Sequence, residues 1–318
     1  MLIGIDLGGT TMKAGLVDFD GNILRQSVRP TKAGRGYNEI INDIAGQIEE
    51  LSALGGVKTG GIHSIGVGVP GVVDSKTGRV EFCANLSWNN VELGEELFSR
   101  LKRKVYVEND ATAAGLGEHL FGATKGAENS VLMTLGTGIG SGIIIGGRVY
   151  HGSHALGAEI GHMIVGENFY DCNCGNKGCL ETFASGTAIS KYVRHKIVDG
   201  EKSLLTAVGG AEITAEKIFE AAKSGDALSL EAVDRLCKYL AIGIINIYNL
   251  LDPDVVALGG GVSKEGDFLL CRVREKVEKM RLIKNKKYGE IVLAALGNKA
   301  GIIGSAFLGY YLNSNKQI

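Results

Sequence analysis

A strand-and-turn unit occurs twice in this chain, and the repeat limits the folds that the chain can adopt. Residues 2–6 are apolar and run into a Gly/Thr turn and a second β-like segment, and residues 131–147 follow the same pattern. Asp6 corresponds to Thr134 and Gly15 to Gly142, so the two spacings agree to within one residue. Repetition of one supersecondary unit predicts a duplicated α/β fold with a cleft between the halves.

The segments around this repeat predict two domains. Short apolar runs alternate with stretches that place apolar residues at helical spacing, which indicates a mixed α/β sheet protein. At 318 residues the chain is long for one domain and sufficient for two. We predict a small α/β domain over residues 1–115 and a large α/β domain over residues 116–298. The last helix, over residues 299–318, is predicted to pack back on the small domain.

Charge and hydropathy exclude several classes of partner. Lys and Arg number 34 against 35 Asp and Glu, so the chain has no overall attraction to nucleic acid or to anionic membranes. The longest apolar run, residues 240–251, is too short to span a bilayer, and the amino terminus lacks the basic segment of a signal peptide. We therefore predict a cytoplasmic protein whose six cysteines stay thiols.

Glycine-rich turns follow three apolar strands and predict phosphate binding. Such turns place bare backbone N–H groups at a sheet edge, where phosphate oxygens can accept hydrogen bonds. Any one of them alone is more often a plain hairpin, but two of the three belong to the internal repeat. Asp6 ends a buried strand, where a carboxylate needs a partner such as a phosphate-bound Mg²⁺; the alternative is a capped turn residue. The predicted phosphate-binding residues are Asp6, Gly8, Gly9, Thr10, Thr11, Lys13, Gly136, Thr137, Gly138, Gly260 and Gly261.

The segment from residue 157 to residue 181 contains one histidine and three cysteines. An isolated histidine is usually a core residue, but His162 with Cys172, Cys174 and Cys179 forms a Cys₃His set within 18 residues. Four such ligands close a tetrahedral Zn²⁺ site and leave no position for an activated water, so the site is predicted to be structural. The metal would orient the His162 ring and leave its second nitrogen for a substrate hydroxyl.

Asp110 is the second carboxylate with a candidate role. It follows a strand and opens a helical run, where an aspartate is most often a plain N-cap. A carboxylate at a helix start beside a cleft is also placed to accept a proton from an alcohol during phosphoryl transfer. The sequence leaves both readings open.

Five motifs together resemble the ROK family of bacterial sugar kinases and repressors, within the actin-like ATPase fold, which is a duplicated ribonuclease H-like fold. The resemblance covers essentially the whole chain. The motifs are residues 6–10 (DLGGT), 109–111 (NDA), 135–138 (LGTG), 159–162 (EIGH), and the three clustered cysteines ending at residue 181.

The resemblance implies ATP bound between two domains, with the turns at residues 6–10 and 136–138 around its phosphates and residues 259–261 near the adenosine. It implies that Asp110 is the catalytic base and that hexose is bound by Asn85, Asn109, Asp110, Glu159, His162 and Glu181. The pattern is most similar to kinases that phosphorylate the 6-hydroxyl of glucose, and it implies a homodimer or homotetramer.

Several alternatives remain at this stage. N-acetylmannosamine, fructose or allose could replace glucose, because hydroxyl discrimination depends on small displacements that a sequence does not show. Polyphosphate could replace ATP. A sugar-responsive repressor would need a helix-turn-helix before the core. The first predicted strand starts at Leu2, so the kinase is the expectation.

Overall fold

The computed structural model describes residues 1–314, with side chains as far as Tyr311. Residues 315–318 of the predicted last helix therefore lie outside the described residues. The strands are β1 (Leu2–Leu7), β2 (Thr11–Val17), β3 (Ile23–Pro30), β4 (Ser64–Val69), β5 (Val72–Asp74), β6 (Arg79–Cys83), β7 (Trp88–Val91), β8 (Tyr106–Asn109), β9 (Ser130–Leu135), β10 (Ile139–Ile145), β11 (Arg148–Val149), β12 (Val255–Gly259) and β13 (Glu290–Leu293). The helices are α1 (Tyr37–Leu54), α2 (Leu93–Leu101), α3 (Asp110–Phe121), α4 (Glu181–Ala184), α5 (Gly186–Val198), α6 (Ala215–Lys223), α7 (Ala227–Leu251), α8 (Asp267–Met280) and α9 (Ala300–Ser314).

The described residues form two compact units. The first unit contains Met1–Gly126, Gly142–Ala158 and the chain from Ala295 onward, and the second contains Ala127–Ser141 and Glu159–Ala294. The domain limits predicted above, 1–115 and 116–298, stay a prediction. No helix within residues 1–314 combines the length and the apolar character that crossing a bilayer requires.

The first five-stranded sheet brings several predicted site residues to one edge. Its strand order is β3-β2-β1-β4-β8, and β1, β4 and β8 are parallel. Asp6 lies opposite Gly68, and Val69 lies opposite Asn109. Because parallel strands end at the same edge, the carboxyl ends of β1 and β8 place Asp6 and Asn109 on that edge.

The second five-stranded sheet repeats this arrangement. Its order is β11-β10-β9-β12-β13, with β9, β12 and β13 parallel, and Thr134 lies opposite Gly259. In sheet order, β11, β10, β9, β12 and β13 correspond to β3, β2, β1, β4 and β8 of the first sheet. The predicted duplicated α/β fold is therefore confirmed. Strands β5, β6 and β7 form a separate antiparallel sheet.

The core of the first unit lies between its sheet and helix α1. Apolar residues three or four positions apart, including Ile40, Ile44 and Ile48, form the buried face of α1. They belong to the same buried cluster as Ile5 of β1 and Val67 of β4. This packing fixes the sheet whose edge carries the candidate site.

Helix α9 approaches the first sheet so closely that only glycine fits at the contacts. A Cβ on Gly4 would lie 1.8 Å from the Ile302 carbonyl oxygen, and one on Gly66 would lie 2.0 Å from that of Ser305. Many of the 48 glycines therefore serve helix and sheet packing.

Glu118 of α3 joins this helix to the segment that precedes α9. Its side chain is fully buried, and its two carboxylate oxygens accept hydrogen bonds from the backbone N–H groups of Ala123 (2.7 Å), Ala295 (3.0 Å) and Leu296 (2.7 Å). A buried carboxylate is tolerated only when such donors satisfy it. Glu118 therefore anchors the start of the last helical segment.

We expect Glu118→Ala to lower the free energy of unfolding by about 2–4 kcal/mol, because it leaves three backbone N–H groups without their acceptor and empties a fully buried site. Urea denaturation measures the change. Glu220→Ala is the matched control, since Glu220 is an exposed helical glutamate, and it should change the value by less than about 0.5 kcal/mol. Equal effects of the two substitutions would show that Glu118 is not an anchor.

Candidate active site

The first Gly/Thr turn connects β1 to β2 and has a fixed backbone. Gly8 N–H donates to the Thr11 carbonyl at 2.9 Å, and Thr31 donates from its hydroxyl to the Gly8 carbonyl at 2.6 Å and from its backbone N–H to the Thr10 carbonyl at 2.8 Å. Gly9 packs against Asn85, because a Cβ on Gly9 would lie 3.2 Å from the Asn85 Cβ. The turn and Asn85 are thus neighbours.

Asp6 lies at the end of β1, just before this turn. Burial raises the pKa of Asp6 above its ordinary value, and Lys13, whose Nζ lies 4.0 Å from Oδ2, opposes that shift. A second cation would favour the charged form further. A hard, oxygen-binding cation such as Mg²⁺ therefore fits the chemistry of this carboxylate.

The junction of β8 and α3 tests the N-cap reading of Asp110. The N-cap of α3 is Asn109, whose Oδ1 accepts a hydrogen bond from Thr112 N–H at 3.0 Å. Asn109 also donates from Nδ2 to the Gly71 carbonyl at 3.0 Å. Asp110 is the first helical residue, and its Oδ1 accepts from Ala111 N–H at 2.8 Å. Because Asn109 fills the cap position, helix capping does not account for Asp110.

Glu108 and His151 form a pair beside this junction that the sequence analysis did not single out. His151 Nε2 and Glu108 Oε2 are 2.6 Å apart, and Glu108 is 4% exposed. The hydrogen bond that His151 donates to the Glu108 carboxylate raises the pKa of His151 above its ordinary value, although burial acts in the other direction. The only local signal was an acid at the end of a buried strand, which does not identify a partner 43 residues away.

The four predicted metal ligands converge. One ligand atom each from His162, Cys172, Cys174 and Cys179 lies within 4.8 Å of all the others. The Cys174 and Cys179 sulfurs are 3.7 Å apart, and the Cys172 sulfur is 3.6 Å from His162 Nδ1. A tetrahedral Zn²⁺ site with bonds of about 2.0–2.3 Å requires ligand separations of about 3.5–3.8 Å. The donor set and its spacing therefore fit zinc.

Two glutamates flank the cluster in different ways. His162 directs Nδ1 toward Cys172 and Nε2 toward Glu159, whose Oε2 lies 3.9 Å away. Burial raises the pKa of Glu159, and the Glu181 carboxylate contributes in the same direction. Glu181 Oε1 lies 2.9 Å from the Cys172 sulfur, and its Oε2 accepts a hydrogen bond from Ile139 N–H at 3.3 Å. Glu181 thus joins the cysteine cluster to the second Gly/Thr turn.

An aromatic cage around Arg235 of α7 holds the cysteine-rich loop. Burial lowers the pKa of Arg235, and the faces of aromatic rings stabilise a guanidinium that is withdrawn from water. Two of the rings flank the cysteine cluster in the chain, so the cage fixes both sides of the loop to α7. The rings and their distances from the guanidinium carbon are Phe169 (4.6 Å), Phe183 (5.1 Å), Tyr192 (4.7 Å) and Tyr239 (5.1 Å).

The second and third glycine turns meet at one cavity of about 550 Å³ in the second unit. Gly136, Thr137 and Gly261 line it together with Lys191 and Arg194. Gly260 has a φ of +85°, and a Cβ there would lie 2.5 Å from the Leu135 carbonyl oxygen, so glycine is required at that position. The volume falls in the range of small-molecule sites.

The predicted site residues divide between the two units. The first unit contains Asp6, Gly8, Gly9, Thr10, Thr11, Lys13, Asn85, Asn109 and Asp110. The second contains Gly136, Thr137, Gly138, Glu159, His162, Cys172, Cys174, Cys179, Glu181, Gly260 and Gly261. Within the first unit, Gly9 contacts Asn85. Within the second unit, Glu181 contacts both the His/Cys cluster and the residue that follows the second turn.

The duplicated α/β fold matches solved structures of ROK sugar kinases. The chain belongs to the ROK family, which matches residues 2–310. The predicted resemblance and the predicted actin-like ATPase fold are both confirmed.

Relatives within the family include both kinases and repressors. A glucokinase from Thermotoga maritima is 40% identical, and the match covers 96% of each chain. A putative xylose repressor from Caldicellulosiruptor sp. is 32% identical, and the match covers 96% of this chain and 76% of the repressor. Among solved structures, a ROK family glucokinase from Streptomyces griseus in complex with glucose and AMPPNP is 33% identical, with a TM-score of 0.84 and coverage of 98% of this chain and 99% of that chain.

Proposed function

We propose that the protein is a glucokinase that transfers the γ-phosphoryl group of ATP to the 6-hydroxyl of glucose. The observation that carries the proposal is the match to glucokinases over 96–98% of the chain, one of them a structure in complex with glucose and AMPPNP. The proposal also gives a role to the glycine turns and to the Asp110 carboxylate, because a hexose kinase needs phosphate-binding turns and a general base.

In the proposed reaction Asp110 is the general base. As the sugar O6 forms its bond to the γ-phosphorus, the O6 proton passes to Asp110 and the bond between that phosphorus and the ADP oxygen breaks. The Asn109 cap fixes the first turn of α3, which limits where the Asp110 carboxylate can lie. Catalysis then depends on holding the Asp110 carboxylate beside the sugar 6-hydroxyl and holding that hydroxyl opposite the bond that breaks in ATP.

The nucleotide is assigned to the glycine turns. We assign the phosphates to the first and second Gly/Thr turns, at residues 8–11 and 136–138, and the adenosine to the cavity beside Gly260 and Gly261. Asp6 would hold Mg²⁺, which supplies positive charge to the transferring phosphoryl group. The cavity of about 550 Å³, with Lys191 and Arg194 among its lining residues, supports this assignment.

The hexose is assigned to six residues. Carboxylate, imidazole and amide groups suit sugar hydroxyls because each can accept or donate a directed hydrogen bond. Zinc held by His162 and the three cysteines would be structural, and His162 Nε2 would face the sugar beside Glu159. The proposed hexose-binding residues are Asn85, Asn109, Asp110, Glu159, His162 and Glu181.

A coupled ADP-release assay over a panel of hexoses tests the proposal. With ATP as donor, we expect glucose to give the highest kcat/KM among glucose, N-acetylmannosamine, fructose, allose and mannose. Polyphosphate in place of ATP tests the donor. A preference of about tenfold or more in kcat/KM for another hexose would identify the protein as a ROK kinase of that hexose instead. Specific operator binding without ADP release would instead favour the repressor, whose named relatives are less similar at 32% identity.

A further inference from the structure

Glu108 is a buried carboxylate next to the proposed base that the reaction described above does not use. It lies near the end of β8 and is followed directly by Asn109 and Asp110. At 4% exposure, a charged carboxylate needs a counter-charge and hydrogen-bond donors. Its surroundings therefore show what holds it in place.

Each oxygen of Glu108 has its own partner. Oε1 accepts a hydrogen bond from Asn109 N–H at 2.8 Å, and Oε2 is 2.6 Å from His151 Nε2. The Ser75 hydroxyl oxygen lies 3.5 Å from the same ring nitrogen. His151 supplies a counter-charge when its ring is protonated, and Asn109 supplies the backbone donor.

The contacts continue from Asn109 into α3. Asn109 caps the helix through Thr112 N–H and donates to the Gly71 carbonyl, so both its backbone and its side chain are fixed. Asp110 is the next residue. A change in the orientation of the Glu108 side chain would therefore displace the first turn of α3 through the hydrogen bond between Glu108 Oε1 and Asn109 N–H.

We propose that Glu108 and His151 are a positioning pair for the proposed base: His151 holds the Glu108 carboxylate, and Glu108 holds the Asn109 backbone that orients Asp110. The inference rests on the proposed function, since it assigns a role in the same reaction. Neither residue is assigned contact with a substrate.

The pair also makes the reaction rate depend on the protonation of His151. The raised pKa of His151 means that the charged pair is fully formed below the ordinary histidine pKa of about 6.5 and is lost as pH rises through the higher value in the folded protein. The other titratable side chains around the cavity that contains His151 are Asp74, Lys76, Glu81, Tyr150 and His154.

The test compares His151→Gln with His154→Gln by kcat, KM and melting temperature from pH 5.5 to pH 9.5. His154 lines the same cavity three residues away and is exposed, so it is the matched control. Glutamine can still donate to Glu108 but carries no charge. We expect kcat of His151→Gln to fall by about tenfold, with KM for ATP unchanged and the high-pH decline of wild-type kcat absent. His154→Gln should match the wild type.

A second variant keeps the test decisive if His151→Gln does not fold. Glu108→Gln removes the negative charge while its amide oxygen can still accept from Asn109 N–H, and it should also abolish the high-pH decline. The double variant should be no worse than the worse single variant, because both act through one contact. A melting-temperature loss with unchanged kcat and an unchanged pH profile would overturn the proposal and leave a structural ion pair. Absence of glucose phosphorylation by the wild type would instead contradict the proposed function itself.

Discussion

Replacing Asp110 with asparagine should lower kcat for glucose phosphorylation by a factor of about 10² or more. Asparagine has nearly the same shape and can still accept the hydrogen bond from Ala111 N–H, so the start of α3 should be preserved. It cannot accept the proton of the sugar hydroxyl, which is the step assigned to Asp110. KM for glucose should change little, because the other five proposed hexose-binding residues remain and asparagine can still hydrogen-bond to a sugar hydroxyl. Steady-state kinetics of the purified variant measure both parameters.

Asp267→Asn is the matched control for this prediction. Asp267 is the first residue of α8, as Asp110 is the first residue of α3, and it is exposed. Each substitution removes a carboxylate from a helix amino terminus and should cost about 0.3–1 kcal/mol of stability. Only Asp110→Asn should reduce turnover. Near-normal turnover of Asp110→Asn would remove Asp110 from the mechanism, and equal losses in both variants would point to helix stability instead.

Removing the metal should weaken both sugar binding and stability. Zinc would hold His162 and the cysteine loop in one arrangement, and Glu181 contacts the same cluster through Cys172. Without the metal we expect the free energy of unfolding to fall by several kcal/mol and KM for glucose to rise by about tenfold or more. The experiment compares the protein before and after a zinc-selective chelator, with Mg²⁺ restored, and measures metal content, melting temperature and KM on the same samples.

Two cysteine substitutions separate the metal from other thiol effects. Cys172→Ser removes a proposed ligand and should reproduce the effect of the chelator. Cys271→Ser changes an exposed cysteine on α8, outside the cluster, and should leave metal content, stability and KM unchanged. If metal-free protein keeps full affinity for glucose, the metal does not organise the sugar site.

Local sequence patterns predict the fold and the convergence of the His/Cys cluster well. The duplicated strand-and-turn unit could be found because strands and glycine turns recur at matching spacing, and both sheets have the corresponding strand order. The Cys₃His set could be found because its members lie within 18 residues and three thiols seldom converge by chance. In both cases the pattern that supports the prediction consists of residues that are close together in the chain.

The contacts that sequence could not predict join distant segments. His151 reaches Glu108 from the segment after β11, and the Arg235 ring cage draws side chains from three other parts of the second unit. The sequence around a single histidine or arginine does not indicate which distant residue the side chain will contact. The two readings of Asp110 also needed coordinates, because asparagine and aspartate are similarly good caps and only geometry shows that Asn109 fills the position.

The most direct test of the central claim is to identify the product formed from glucose and ATP. Phosphorus NMR of the reaction mixture should show ADP and glucose 6-phosphate rising in equal amounts with the wild type, and almost none with Asp110→Asn. ADP with free phosphate and no sugar phosphate, or a phosphate on another hydroxyl, would contradict the assignment of this protein as a glucose 6-kinase.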